Sequence, residues 1–233
     1  MPRRRFLKAA DLPPSAPVFP LNGAILLPRS ILPLNVFEPR YLEMVDDALS
    51  GNRLMVIVQP ERGQTDPDSP PRILPESPEE TVPLRSIGCV GRITAYQETE
   101  DGRVLITLLG LARCTLKSEV PVKTPYRQFV ISAQPYSEDF EAGHGSDSVD
   151  REALLKGLKA YLEKRNMQAD WSAISRSSTE SLVNGLSIIS PYGPEEKQAL
   201  LEAKDLKSRA EVLLALAEMD IATGPDGGAS KLQ

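Results

Sequence analysis

The spacing of apolar residues changes near residue 150, and this change constrains the fold more than any other feature of the sequence. Before that point, short apolar stretches are separated by proline and glycine, which is typical of β-strands. After it, apolar residues recur at intervals of three and four, which is typical of amphipathic helices. The sequence therefore predicts an α+β fold, with a β domain over residues 1–136, a helical domain over residues 148–223 and a flexible tail over residues 224–233.

Short apolar stretches predict strands in the first half of the chain. They lie at residues 17–21, 31–37, 54–59 and 128–134. The clearest hairpin joins residues 88–97 to residues 103–116 through Asp101-Gly102, because Asp-Gly provides the positive φ angles of a tight turn. Apolar residues occur on both faces of its first arm, which is typical of a closed or nearly closed barrel.

Helix signals occur in both halves of the chain. In the β domain, Pro39 suits the first position of an inserted helix, and Gly51 suits its end. In the helical domain, apolar residues at helical spacing predict a first helix and a fourth helix. Ser177 and Glu180 have the spacing of a capping box, which predicts the start of a second helix. Pro194 is placed to begin the third.

Three segments are predicted to lack regular structure. Residues 1–17 are basic and predict a loose tail, and residues 60–83 are rich in proline and acid, which indicates either a disordered insertion or a functional loop. Residues 137–150 predict an interdomain linker, in which His144 is solvated rather than catalytic.

Charge and hydropathy argue against two kinds of partner. The net charge is −5 and the isoelectric point is near 5.1, which opposes the basic surface that nucleic acids require. No apolar run reaches the roughly 18 to 20 residues that cross a bilayer, and the N-terminus lacks the apolar stretch of a secretory signal. We therefore expect a cytoplasmic protein that binds neither nucleic acid nor membrane.

Motifs that carry chemistry are missing from the sequence. Cys89 and Cys114 are expected to be buried thiols, and with one histidine they do not make up a metal site. The sequence holds no P-loop and neither the G-x-S-x-G nor the S-x-x-K signature of a serine nucleophile. The sequence therefore predicts no catalytic residue, no metal and no cofactor.

Two short segments are candidates for binding. In the string from Phe37 to Leu42, the side chains either anchor the start of a helix or form an aromatic and arginine surface that grips a peptide. The apolar connection over residues 24–28 would form a binding patch if it stood out from the barrel. The candidate peptide-binding residues are Leu26, Leu27, Phe37, Glu38, Arg40 and Tyr41.

Residues 17–135 contain the strings VFPL, LPLNVFEPRYLEMV, GCVGRI and DGRVLITLLGLARC. As a set, these resemble the N-terminal substrate-binding domain of Lon proteases, in the stand-alone bacterial form that lacks the ATPase and protease domains. The string SLVNGLSIISPYGPEEKQALLEA resembles the helical part that follows this domain. The resemblance implies a PUA-like β pseudobarrel with one inserted helix, followed by a C-terminal helical bundle.

The resemblance also carries the functional hypothesis. In full-length proteases the domain helps to recognise unfolded or tagged substrates, so we expect a non-enzymatic module that binds unfolded or extended polypeptides. It would serve as an adaptor or regulator in protein quality control, with a protease or chaperone as a further partner. Two alternatives remain open: an RNA-binding PUA-like protein, and an unrecognised small-molecule-binding protein.

Overall fold

The computed structural model describes residues 6–61, 82–165 and 168–223. They divide into two compact units. The β unit holds the described residues up to Ala142 together with Tyr192–Leu201, and the helical unit holds Gly143–Pro191 together with the described residues from Glu202 onward. The helical unit is therefore not one continuous stretch, as residues 148–223 were predicted to be, because ten of those residues belong to the β unit.

Six strands form one mixed sheet in the order β2-β5-β4-β3-β1-β6. They are β1 Ser15–Pro20, β2 Ile31–Val36, β3 Leu54–Val58, β4 Ile87–Glu98, β5 Val104–Val120 and β6 Gln128–Ser132. Strand β5 is long enough to pair with β2 along its first half and with β6 near its end, so the sheet curves back on itself. Strand β2 lies outside this curve, so the six strands do not close into one barrel. The predicted α+β fold with a β pseudobarrel is confirmed.

Helix α1, Pro39–Ser50, is the predicted insertion between β2 and β3. Pro39 occupies the start of the helix, where its missing N–H is not needed, and Gly51 follows the last residue. The side chains that it buries are Tyr41, Met44, Val45 and Ala48.

The core of the β unit reaches further toward the N-terminus than predicted. The ring of Phe6 is buried in a cluster that includes Val18, Val56 and Cys114. A short 3-10 helix follows at Ala9–Asp11. The prediction of a loose tail over residues 1–17 is therefore wrong from Phe6 onward, because burying this aromatic surface stabilises the ordered chain.

The predicted linker over residues 137–150 is also structured where it begins. A 3-10 segment, Gln134–Phe140, holds Asp139 in the β unit. The Asp139 carboxylate accepts hydrogen bonds from Arg113 Nε at 2.9 Å and from Arg113 Nη2 at 2.8 Å, and both side chains are buried. A bidentate buried pair of this kind holds the segment against β5. His144 is exposed.

The remaining helices are α2 Arg151–Lys164, α3 Trp171–Arg176, α4 Thr179–Ile189, α5 Pro194–Glu202 and α6 Leu206–Thr223. The cap of α4 is Ser178, whose hydroxyl accepts a hydrogen bond from the Ser181 amide at 3.1 Å, one residue later than predicted. Helix α3 has six residues and was not predicted, because so short a segment shows little periodicity.

Three other predictions concern cysteines and unstructured segments. Cys89 and Cys114 are buried thiols that are not joined in a disulfide, which confirms the prediction for them. Burial raises the pKa of the Cys114 thiol to about 12. Most of residues 60–83, for which a disordered insertion or a functional loop was predicted, lie outside the described residues. The predicted tail over residues 224–233 lies entirely outside them.

Candidate functional site

Strand β2 lies at the edge of the sheet and pairs only with β5 among the described strands. The Gly110 amide donates to the Ser30 carbonyl at 2.9 Å, immediately before the first residue of β2. Because residues of an antiparallel strand face their partner strand alternately, the backbone of Leu32 and Leu34 faces β5 and that of Pro33 faces away. The edge of the sheet therefore exposes the backbone of every second residue of β2.

We call the outward backbone groups of Ile31, Pro33 and Asn35 the open edge. It offers three carbonyl acceptors but only two N–H donors, since proline has no N–H. No backbone hydrogen bond from another described residue reaches this side of β2. The open edge is thus available, in the described part of the chain, to a further extended chain.

A shallow groove of about 470 Å³ lies on the adjoining sheet surface, across β2, β5 and β4. We call it the β2 groove; its lining residues are Pro33, Leu34, Asn35, Ala95, Tyr96, Gln97, Leu105, Ile106 and Thr107. The strand register aligns Asn35, Leu105 and Gln97 in one row. Since none of the lining residues is charged, the groove suits uncharged ligand groups.

Apolar side chains are exposed in and around the β2 groove. Ile31 is 63% exposed, Phe37 62%, Leu105 42% and Tyr96 38%. The Tyr96 hydroxyl donates to Glu98 Oε1 at 2.5 Å, and this hydrogen bond raises the pKa of Tyr96 to about 12, so that the phenol is neutral at pH 7. The surface is therefore largely apolar, with amide groups interspersed.

The predicted string after β2 divides into an exposed and an anchored part. Phe37 is exposed beside β2, whereas Tyr41 is buried, with its ring centroid 4.4 Å from that of Phe19. Arg40 Nη2 lies 2.8 Å from Glu38 Oε2, and the guanidinium also covers the Tyr41 ring at 4.7 Å. Phe37 is thus the one aromatic of the string positioned to contact a ligand, while Tyr41 anchors the helix.

The structure does not expose Leu26 and Leu27, so the condition under which residues 24–28 would form a binding patch is not met. Both side chains are fully buried. A Cβ atom at Gly91 would lie 2.7 Å from Leu26 Cδ2, and one at Gly110 would lie 2.0 Å from the Leu27 carbonyl oxygen. The two glycines leave space for this segment to pack directly on the sheet.

The described residues provide neither a candidate metal site nor a candidate membrane-spanning helix. Among residues 6–61, 82–165 and 168–223, no group of three or more histidine, cysteine, aspartate or glutamate side chains is arranged to hold a metal ion. None of the helices within these ranges combines the length and apolar character needed to span a membrane.

Comparison with protein families identifies the fold. The family model described as the ATP-dependent protease La (LON) substrate-binding domain matches residues 15–218. This chain belongs to the Lon substrate-binding domain family.

The relatives of this Lon domain are longer proteins. Lon protease 2 of Sorangium cellulosum is 30% identical over 217 residues, which is 87% of this chain and 24% of that protein. The Lon protease of Desulfosudis oleivorans is 24% identical over 205 residues, 85% of this chain and 23% of that protein. The chain therefore spans about a quarter of the length of these relatives.

Solved Lon domains share the fold. The N-terminal domain of a Mycobacterium avium complex Lon protease superposes with a TM-score of 0.62 at 18% identity and covers 88% of this chain and 98% of its own. A Lon N-terminal domain protein from Xanthomonas campestris has a TM-score of 0.57 at 20% identity, with 86% and 97% covered.

Sequence reasoning missed the residues of this Lon domain that form the open edge and the middle of the β2 groove. One signal was present: Pro33 lies in the middle of β2, and proline within a sheet is typical of an edge strand. Leu105 and Gln97 had no comparable signal, because their exposure depends on what lies across the sheet in three dimensions.

Proposed function

We propose that this protein binds extended segments of unfolded polypeptides at the open edge and the β2 groove, without catalysing a reaction on them. The observation that supports this proposal most strongly is the adjacency of the two features. An edge strand with outward backbone groups borders a groove whose lining residues are uncharged and partly apolar.

The chemistry of this surface matches what an unfolded chain exposes. Unfolded polypeptides present backbone N–H and C=O groups without intramolecular partners, together with apolar side chains that are buried after folding. Backbone hydrogen bonds at a sheet edge are largely independent of sequence, and side chains at alternate positions then adjust affinity. A folded protein exposes few such segments, so the surface would discriminate between the two states.

The family supports a polypeptide ligand. Its model is that of a substrate-binding domain, and the relatives that match over most of this chain are Lon proteases. For the cell, we propose a cytoplasmic adaptor or regulator in protein quality control that holds unfolded polypeptides for a protease or chaperone.

Fluorescence anisotropy with a labelled, permanently unfolded polypeptide tests the proposal. Reduced and carboxymethylated lactalbumin serves as the unfolded probe, and native lactalbumin serves as its folded control. Replacing Leu105 with glutamate introduces a charge into the middle of the β2 groove, and we expect it to weaken binding about tenfold or more.

The matched control is Ile189→Glu, which changes an exposed aliphatic side chain of α4 in the helical unit in the same way. We expect this variant to bind within about twofold of the unchanged protein. If the unchanged protein does not bind the unfolded probe, or if both variants lose affinity equally, the proposed site is wrong. Replacement of the probe by a structured RNA in the same assay distinguishes the RNA-binding alternative, for which affinity would fall steeply with salt.

An adaptor or regulator role needs a separate measurement. We expect the rate at which a purified Lon protease degrades the unfolded probe to change when this protein is added, and not when Leu105→Glu is added. An unchanged rate with the unaltered protein would leave polypeptide binding intact but exclude this form of the adaptor role.

A further inference from the structure

We propose that a bound polypeptide joins the sheet as an additional strand beside β2, and that Pro33 limits its affinity by withholding one hydrogen bond. This inference rests on the proposed function, since it specifies how the polypeptide is held. Two structural features support it: the alternation of the β2 backbone, and the position of its single proline on the outward side.

The hydrogen-bonding groups of the open edge are asymmetric. Ile31 and Asn35 each present an outward N–H and an outward carbonyl, whereas Pro33 between them presents a carbonyl only. An added strand can therefore form five backbone hydrogen bonds with these residues, whereas it could form six if β2 had no proline. One carbonyl of the bound polypeptide, opposite the middle of β2, is left without a partner.

The missing hydrogen bond lies at the middle of β2, where its absence limits the pairing of the open edge with other strands. Exposed edge strands pair readily with other strands, and proline on the outward side is one of the ways in which natural sheets limit such pairing. Pro33 is itself exposed, and no described contact beyond its pairing with Thr107 explains a proline at this position. We assign to Pro33 the role of keeping strand addition weak and reversible.

The groove then determines which side chains the added strand prefers. Residues opposite Ile31, Pro33 and Asn35 place their side chains on the face that carries the β2 groove, because cross-strand partners share a face. Since that face is uncharged and partly apolar, it favours apolar residues at every second position. The preferred ligand is therefore an uncharged segment of alternating apolar and polar residues, as long as β2 or shorter.

Backbone N-methylation of a peptide tests strand addition directly. A short fluorescein-labelled peptide of alternating valine and threonine is methylated at one amide at a time, and the affinity of each derivative is measured by anisotropy. Only every second amide of an added strand points toward β2, so we expect about tenfold losses at alternate positions and little change between them. If the peptide binds antiparallel to β2, methylation of the valine amides should weaken binding. If it binds parallel to β2, methylation of the threonine amides should weaken binding.

Replacing Pro33 with alanine tests the role of the missing donor. The alanine N–H completes the open edge, and we expect the unmethylated peptide to bind about three- to tenfold more tightly. Pro125→Ala, at an exposed proline outside the strands, is the control and should leave affinity unchanged. Sedimentation of the Pro33→Ala variant records any self-association.

The outcomes separate this inference from the proposed function. If the peptide binds but N-methylation has no period of two, or if Pro33→Ala does not tighten binding, strand addition is wrong while polypeptide binding stands. Self-association of Pro33→Ala without tighter peptide binding would assign the edge to a second copy and overturn the inference. If neither the peptide nor the unfolded probe binds, the proposed function itself fails.

Discussion

The segment over residues 25–28 and strand β2 are neighbours in the chain and similarly apolar, yet the first is buried throughout, whereas the second is buried only at Leu32 and Val36. Ile25, Leu26 and Leu27 are almost completely buried, whereas Ile31 of β2 is 63% exposed. The first segment lies over glycines of β4 and β5, which leave space for it. Strand β2 lies at the end of the sheet, where no further described strand covers its outer side.

Apolar composition alone therefore does not separate a core segment from a binding surface. The decisive factor is the shape of what lies opposite. At Gly110 the backbone of residue 27 occupies the place of a side chain, so even a methyl group would displace it. On the outer face of β2 no described segment offers such a complementary surface, and the exposed side chain of Ile31 remains available for a ligand.

The largest expected effect comes from truncating the buried segment. Leu26→Ala should lower the free energy of unfolding by about 2–5 kcal/mol, because it removes buried apolar surface and leaves a cavity. Ile31→Ala should change it by less than about 0.5 kcal/mol, since the side chain is mostly in solvent. Urea denaturation followed by circular dichroism measures both. Similar values for the two variants would invalidate the comparison.

A smaller effect is expected from filling the space that the glycine leaves. Gly110→Ala should destabilise the protein by about 1–3 kcal/mol, because the new Cβ would lie 2.0 Å from the Leu27 carbonyl oxygen and the segment must shift. In α4, the new Cβ of Gly185→Ala would have no described neighbour within 4 Å apart from the adjacent residues and the backbone of its own helix, so this variant should stabilise the protein by up to about 1 kcal/mol. The same denaturation experiment checks both, and a neutral Gly110→Ala would show that the segment adapts freely.

A third effect concerns a buried charged side chain and is expected as a dependence of stability on pH. Lys197 is buried in the β unit, and burial lowers its pKa from 10.5 to about 8. Between these values the unfolded chain binds more protons than the native one, so the contribution of Lys197 to stability rises with pH. Lys197→Met removes that contribution.

We expect the stability advantage of Lys197→Met over the unchanged protein to fall by about 2 kcal/mol between pH 7 and about pH 9.5. The control is Lys117→Met, which makes the same change at an exposed position of β5. Denaturation at a series of pH values measures this. A constant difference for Lys197→Met would mean that the ammonium group is solvated in the native state.

Much of the secondary structure was predictable because its signals are local. Proline at the start and glycine after the end delimit α1 within a few residues, and Asp101-Gly102 marks the turn between β4 and β5. These signals act through backbone conformation and through hydrogen bonds to near neighbours, so they are present in the sequence itself. The string after β2 was likewise visible, and Phe37 of that string does lie beside the candidate site.

The parts that were not predictable depend on residues far apart in the chain. All of helix α5 except Glu202 belongs to the β unit, where the Gln59 amide donates to Gln198 Oε1 at 3.0 Å, 139 residues away. The burial of Asp139 likewise depends on Arg113.

The sequence by itself determined the kinds of element, most of their limits and the α+β character, because apolar periodicity and turn residues act locally. The tertiary structure alone decided which apolar segment is core and which is surface, because burial depends on the shape of whatever the fold brings opposite. For that reason Leu26 and Leu27 pack into the sheet, and the open edge of β2 remains for another chain.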